Sequence, residues 1–259
     1  MAVMEQLNNL KGANITLIKS EELSGVRVEV TKLKLWQENL RQLIPLFGKV
    51  IFEEYEKLPF NLNDPTVKAK TLSQLKISFN DISYMYILEK NGQFLGLLAM
   101  KIYKENPRIE VVVELIIDPL FRGQGYAPKF YDLVFKDRNI YAITSYSRYP
   151  AAVKSRYQVG NKYGYKTYFG NMSDGVKEAI DLQNEAKDYF TKEGIVASVP
   201  APQGYIWLKG EENVNAPLKE GDAKFKPDDP LYKPFQKILE LQKLNAKDTC
   251  VGLLVSIRK

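Results

Sequence analysis

The first clear rhythm along the chain is alternation. Residues 26–30 (VRVEV) place apolar and polar side chains on opposite faces, which predicts a strand. Thr31 is then placed to cap a helix. Trp36, Leu40, Leu43, Ile44, Phe47, Val50 and Ile51 recur at helical spacing. Pro45 and Gly48 interrupt them, so two short helices or one kinked helix is expected. Residues 59–81 are polar, hold Pro59 and Pro65 and show no clean period. They read as a loop with room for a short helix near 67–75.

A compact β region follows. Residues 84–88 (YMYIL) and 93–103 (QFLGLLAMKIY) are apolar runs joined by Asn91-Gly92, a strong two-residue hairpin signal. Asn106-Pro107 marks a second turn, and residues 108–117 (RIEVVVELII) form a third strand, completing an expected antiparallel meander. Asp118-Pro119 ends that strand. After the glycine-containing turn 122–127, Phe130, Tyr131, Val134 and Phe135 return at helical spacing. Residues 140–145 predict another strand. Pro150 is placed to start a helix over 151–162, which Gly164 closes.

The last ninety residues have a different texture. Residues 174–190 predict a charged helix capped by Ser173 or Asp174. Residues 204–209 predict a strand, 210–230 a loop, 235–244 a helix and 251–257 a closing strand. No internal repeat is present.

Composition narrows the chemistry. The chain has 259 residues, no histidine and one cysteine, Cys250. Serine–histidine and cysteine–histidine nucleophile systems are thereby excluded, as are an internal disulfide and nearly all zinc chemistry. No metal is expected, and Cys250, inside CVGLLVSI, reads as a buried core thiol. No apolar run approaches the ~20 residues that span a bilayer, and the start lacks a secretory signal, so a cytoplasmic protein without a membrane partner is expected. The net charge of +6 is uneven. Residues 1–170 hold 24 Lys+Arg against 17 Asp+Glu, and residues 171–259 hold 13 against 14. A basic front portion suits an anionic ligand.

The most informative stretch is LIIDPLFRGQGYAPKFYDLVF, residues 115–135. A buried strand enters a short turn with Gly123 and Gly125, and a helix starts at once. Orphan N–H groups and the helix dipole at such a start make a site for a phosphate or pyrophosphate, with Arg122 adding charge at its edge. The P-loop pattern does not fit, and the dinucleotide pattern fails because Pro128 stands where a third glycine is needed. The stretch Arg122-Gly123-Gln124-Gly125-Tyr126-Ala127 resembles the Gln/Arg-x-x-Gly-x-Gly/Ala signature of the GNAT superfamily of N-acyltransferases. Residues 116–121 (IIDPLF) are similar to that family's lead-in. The element order over about residues 20–170 also resembles the family: a strand, two helices, a three-strand meander, the signature helix, a strand, and a helix ending in Gly-Tyr.

The resemblance implies an α/β (α+β) fold, a mixed, mostly antiparallel sheet flanked by helices. A core over 1–170 would carry a C-terminal extension over 171–259. It implies transfer of an acetyl group from acetyl-CoA to an amine of a small molecule, peptide or protein. The pyrophosphate would lie on the amides of Arg122, Gly123, Gln124, Gly125, Tyr126 and Ala127, with Lys129 adding charge. Backbone groups near Ile116 and Ile117 would bond the pantetheine arm and polarise the carbonyl. Glu114, the ionisable residue inside VVVELII, is the candidate base, since burial would raise its pKa into a useful range. Its parity matches Asp118, whereas the family's base often stands on the other parity, occupied here by Val111 and Val113. A bulge would restore the geometry.

For the acid, the family's tyrosine position is Gly160 here, so Tyr157, one turn earlier, is the candidate. Arg148-Tyr149-Pro150 stand where the family has an asparagine. These departures leave open a CoA-binding module without catalysis. A nucleic-acid-directed protein is the third reading, from the Lys/Arg-and-Tyr-rich residues 146–168, which equally suit the last helix of the core and so make nucleic acid an unfavoured partner. The acceptor amine is not named by any motif. Residues 171–259 are compatible with a lid, a second domain or a homodimer contact. The acidic side chains of 174–193 are an ordinary solvated helix face unless they lie over the cleft.

Overall fold

The computed structural model describes residues 3–10, 12–19, 24–30, 33–56, 59–78, 82–103, 109–137, 140–209, 225–245 and 247–259. They form two compact units, Met1–Pro107 with Val112–Arg138, and Arg108–Val111 with Asn139–Lys259. Residue 170, where the sequence placed a boundary, lies inside the second unit. Thr31, the Asn106-Pro107 turn and residues 210–224 of the expected loop lie outside the described residues.

The first unit holds α1 (Val3–Leu7), β1 (Ala13–Lys19), β2 (Ser24–Val30), α2 (Leu33–Glu56), α3 (Pro65–Ser78), β3 (Tyr84–Lys90), β4 (Gln93–Ile102), most of β5 (Ile109–Ile117) and α4 (Tyr126–Asp137). The strands neighbour one another in chain order, and the pairs β1–β2, β2–β3 and β3–β4 are antiparallel. Val26, Val28, Met85, Ile87, Leu97 and Ala99 share one core with Leu43, Ile44, Val50 and Ile51 of α2 and Leu75 of α3. The alternate residues Tyr84, Tyr86 and Leu88 are buried too. A strand buried on both faces reads as a continuous apolar run, which is how β3 and β4 look in the sequence.

Several elements differ from expectation, three of them in the layers around the first core. The helix expected to break at Pro45 and Gly48 is one helix with Pro45 inside it. Proline in a helix interior costs about 3 kcal/mol. Leu43, Ile44, Val50 and Ile51, on both sides of it, are all buried in the core, and that burial outweighs the penalty. Gly48 is a contact, not a breaker: a Cβ there would lie 3.0 Å from both Ile44 Cγ2 and Thr71 Cγ2, where α3 crosses α2. The expected loop at 59–81 contains the fourteen-residue α3, with Pro65 first and the Asp64 carboxylate accepting from Thr66 N at 2.8 Å. Finally, β1 alternates as a strand should and pairs with β2 from Ala13↔Val30 to Lys19↔Ser24.

The second unit holds β6 (Ala142–Ser147), α5 (Pro150–Lys162), β7 (Tyr165–Phe169), α6 (Lys177–Lys192), β8 (Tyr205–Leu208), α7 (Tyr232–Gln242) and β9 (Thr249–Arg258). β9 organises it, pairing antiparallel with β6, β7 and β8. β5 and β6 are parallel through three pairs, Ile109↔Ala142, Glu110↔Ile143 and Val111↔Thr144. The sheet is therefore mixed and mostly antiparallel, with helices packed on it, as the resemblance implied. Val153, Phe169, Tyr205, Trp207, Phe235, Ile238 and Leu254 form the core here. Cys250 lies in that core, and burial pushes its thiol up to about 12.

The most deeply buried charge of this unit belongs to a helix. Arg156 of α5 is fully buried. Its Nε donates to Ser256 Oγ at 3.0 Å, one terminal nitrogen to Ser145 Oγ at 2.6 Å, and the other to the Ile143 carbonyl. The guanidinium thus links α5 to β6 and β9 through a fork of fixed donors.

Candidate active site

The site grows from the end of β5. Gly96 of β4 has no side chain because the end of β5 lies almost on it. A Cβ at residue 96 would stand 2.5 Å from the Ile116 carbonyl oxygen, 3.1 Å from Ile117 Cα and 3.2 Å from the Phe130 ring of α4. The Asp118 amide then donates to the Leu95 carbonyl at 3.0 Å, ending the strand beside β4. Pro119–Phe121 turn as a single 3-10 step, with the Asp118 carboxylate accepting from Leu120 N at 3.0 Å. A lone glycine inside a strand was the readable signal for this close approach.

The turn proper is tied back to the strand by its own side chains. Arg122 Nε donates to the Ile117 carbonyl at 3.0 Å, and Gln124 Nε2 donates to the Leu120 carbonyl at 3.0 Å. Gly123 and Gly125 take φ of +76° and +80°, in the left-handed region that a side chain disfavours. A Cβ built on either would meet nothing within 4 Å, so the outer side of the turn is open. α4 begins at Tyr126, whose ring meets Phe121 edge-on with centroids 6.1 Å apart. Pro128, third in the helix, has no N–H, which is tolerated in a first turn. Among the described residues, the amides of Gly123, Gln124, Gly125, Tyr126 and Ala127 donate to no protein acceptor. Arg122 and Lys129 are exposed at the same turn. Five unspent donors, a helix start and two cations can hold a pyrophosphate.

The other sequence-derived candidates are placed as follows. Ile116 is buried and Ile117 half-buried at the strand end that the turn grips. Glu114 lies half-buried in β5, in the first unit with the turn. Tyr157 lies in the second unit, half-buried on α5 and packed against the cluster of Val153, Phe169, Tyr205 and Trp207. A more deeply buried carboxylate than Glu114 stands four residues earlier in the same strand. Glu110 is 2% exposed and acts electrostatically on Tyr165, whose hydroxyl donates to the Ile140 carbonyl at 2.6 Å. Its position in RIEVVVELII was legible, but the single strand pattern does not rank two carboxylates by depth.

The order of elements and the glycine turn decide the architecture. The mixed, mostly antiparallel sheet, the flanking helices and the glycine turn agree with the architecture that the resemblance implied. No family model matches the sequence, and no curated protein matches it. Among solved structures, it is similar to diaminobutyrate acetyltransferase of Paenibacillus lautus in complex with L-2,4-diaminobutyric acid and coenzyme A. The identity is 17% over 48% of this chain and 75% of that one, with a TM-score of 0.34. It is also similar to a GNAT-family acetyltransferase of Bacillus anthracis, at 15% identity over 60% of this chain and 87% of that one, TM-score 0.35. No helix among the described residues is long and apolar enough to cross a membrane.

Proposed function

We propose that the chain is an N-acyltransferase that moves an acetyl group from acetyl-CoA to a primary amine. The observation that carries this reading is the turn at residues 122–127, with five amides free to donate, an open outer side and Arg122 at its edge. Acetyl-CoA would supply the activated thioester. The amides of 123–127 would hold its pyrophosphate, with Lys129 adding charge, and backbone groups at Ile116 and Ile117 would hold the pantetheine arm.

In the reaction, the amine nitrogen attacks the thioester carbon, the C–S bond breaks and the electron pair leaves with sulfur. An alkylammonium with a pKa near ~10 must first lose a proton. Glu114 is the proposed acceptor of that proton, directly or through water. Tyr157 is the proposed donor to the departing thiolate. The test is acetyl-CoA turnover across a panel of amines, read by thiol release, with Glu114→Gln expected to lower kcat while leaving acetyl-CoA binding in place.

A second reading has its own support. Tyr157 packs on the core of the second unit, and Gly160 stands where the family resemblance calls for a tyrosine. A CoA-binding module without transfer would bind acetyl-CoA at the turn and release no thiol with any amine.

A further inference from the structure

The step from β5 into α4 owes little to burial. No residue of Pro119–Phe121 is buried, and Leu120 is 67% exposed. Both peptide groups of Leu120 are nevertheless gripped by side chains. Its N–H donates to Asp118 Oδ1 at 3.0 Å, and its carbonyl accepts from Gln124 Nε2 at 3.0 Å. Asp118 is anchored in turn. Its amide donates to the Leu95 carbonyl of β4 at 3.0 Å, and its carbonyl accepts from the Phe121 amide at 2.8 Å.

Gln124 stands between the two glycines of the turn, Gly123 at φ +76° and Gly125 at φ +80°. Glycine gives up more backbone freedom on ordering than any other residue. A Cβ on either would meet nothing within 4 Å, so no packing on that side restrains them. What ties the segment to the sheet is a relay of bonds, from β4 to Asp118, from Asp118 to Leu120 and from Leu120 to Gln124. Exposed bonds of this kind contribute little to overall stability. Their effect is on binding, because order already present in the free chain need not be supplied when a ligand arrives.

We propose that Asp118 and Gln124 are positioning residues for the cofactor, which act through Leu120 to set the amides of residues 123–127 before a pyrophosphate arrives. The proposal rests on the acyltransferase reading and adds two side chains to it. Asp118 serves as a hydrogen-bond acceptor; its negative charge has the wrong sign to meet a pyrophosphate. Asparagine keeps an acceptor oxygen at the same place, and alanine does not. The Gln124 side chain serves as a donor. Methionine keeps its length and has no donor.

The test uses the full chain and two readouts. The first is amide order at Gly123 and Gly125 in the ligand-free chain, from NMR relaxation. The order parameter is expected near the rigid value of about 0.85 in the wild type and in Asp118→Asn, and lower in Asp118→Ala and Gln124→Met. The second is calorimetric titration with acetyl-CoA. Asp118→Ala and Gln124→Met are each expected to weaken binding about three- to tenfold, the scale of one hydrogen bond, and Asp118→Asn to stay within about twofold of the wild type. Equal affinity in Asp118→Asn and Asp118→Ala overturns the proposal. So do variants that loosen the turn yet bind acetyl-CoA as tightly as the wild type. Gln124 is exposed, so Gln124→Met carries the comparison if Asp118→Ala does not fold. A wild type that binds acetyl-CoA no better than any of the variants sinks the clamp alone. A folded wild type that binds none sinks the acyltransferase reading, and the clamp with it.

Discussion

Arg122 reaches back across its own turn, and its Nε donates to the carbonyl of Ile117 at 3.0 Å. The side chain thus does two things at once. It locks the strand end to the turn, and it puts a permanent positive charge at the exposed turn where a pyrophosphate would sit. Lysine would keep the charge but lose the planar donor. Arg122→Lys should therefore weaken acetyl-CoA about three- to tenfold, an energy on the scale of one ordinary hydrogen bond, and Arg122→Ala more. Calorimetry on the two variants checks the order.

Gly125 separates backbone strain from charge. At φ +80° an alanine costs about 1–2 kcal/mol in backbone energy although its Cβ meets nothing. Gly125→Ala should lower stability by about that amount and acetyl-CoA affinity modestly. Gly125→Asp adds a negative charge to the same position and should lower affinity at least tenfold beyond the alanine variant. Chemical denaturation and ligand titration on both variants resolve the two effects.

Gly96 tests the close approach of β4 and β5. A methyl group 2.5 Å from the Ile116 carbonyl oxygen has backbone as its obstacle, so the strand itself must move. Gly96→Ala should cost about 1–3 kcal/mol by overpacking. It should also impair acetyl-CoA binding, because Ile116 and Ile117 form the strand end that the turn grips. A variant as stable as the wild type would show that the two strands part freely there.

Glu185 predicts a pH dependence. Its folded carboxyl titrates above the unfolded one, so the folded chain holds the proton to higher pH than the unfolded chain does. Stability from this group is intact in acid and lost as pH rises through the folded value. Glu185→Gln should therefore be more stable than the wild type at pH 7, and the difference should shrink toward about pH 4. Denaturant melts across that range measure it. A difference of constant size would remove the desolvated carboxyl as its cause.

Much of the first unit's sheet was legible because its signals are local. Asn91-Gly92 turns β3 into β4, and the apolar runs on each side need no tertiary context. The glycine turn was legible for the same reason, since positive φ and a helix start both write themselves into a few residues. What escaped depended on partners. Pro45 and Gly48 read as breakers until α3 and the core are seen around them. α3 shows almost no apolar period, because Leu75 and Thr71 are the fully buried side chains among its described residues; its start, Asp64-Pro65, was the available clue. β7 has five residues and takes its identity from pairing with β9, more than eighty positions later.

The most direct test of the central claim is titration of the folded wild-type chain with acetyl-CoA, alongside Gly125→Asp. The turn at residues 122–127 predicts saturable micromolar binding by the wild type and at least a tenfold loss in the variant. A folded wild type that binds no acetyl-CoA, or a folded variant that binds it equally well, would contradict the assignment of that turn.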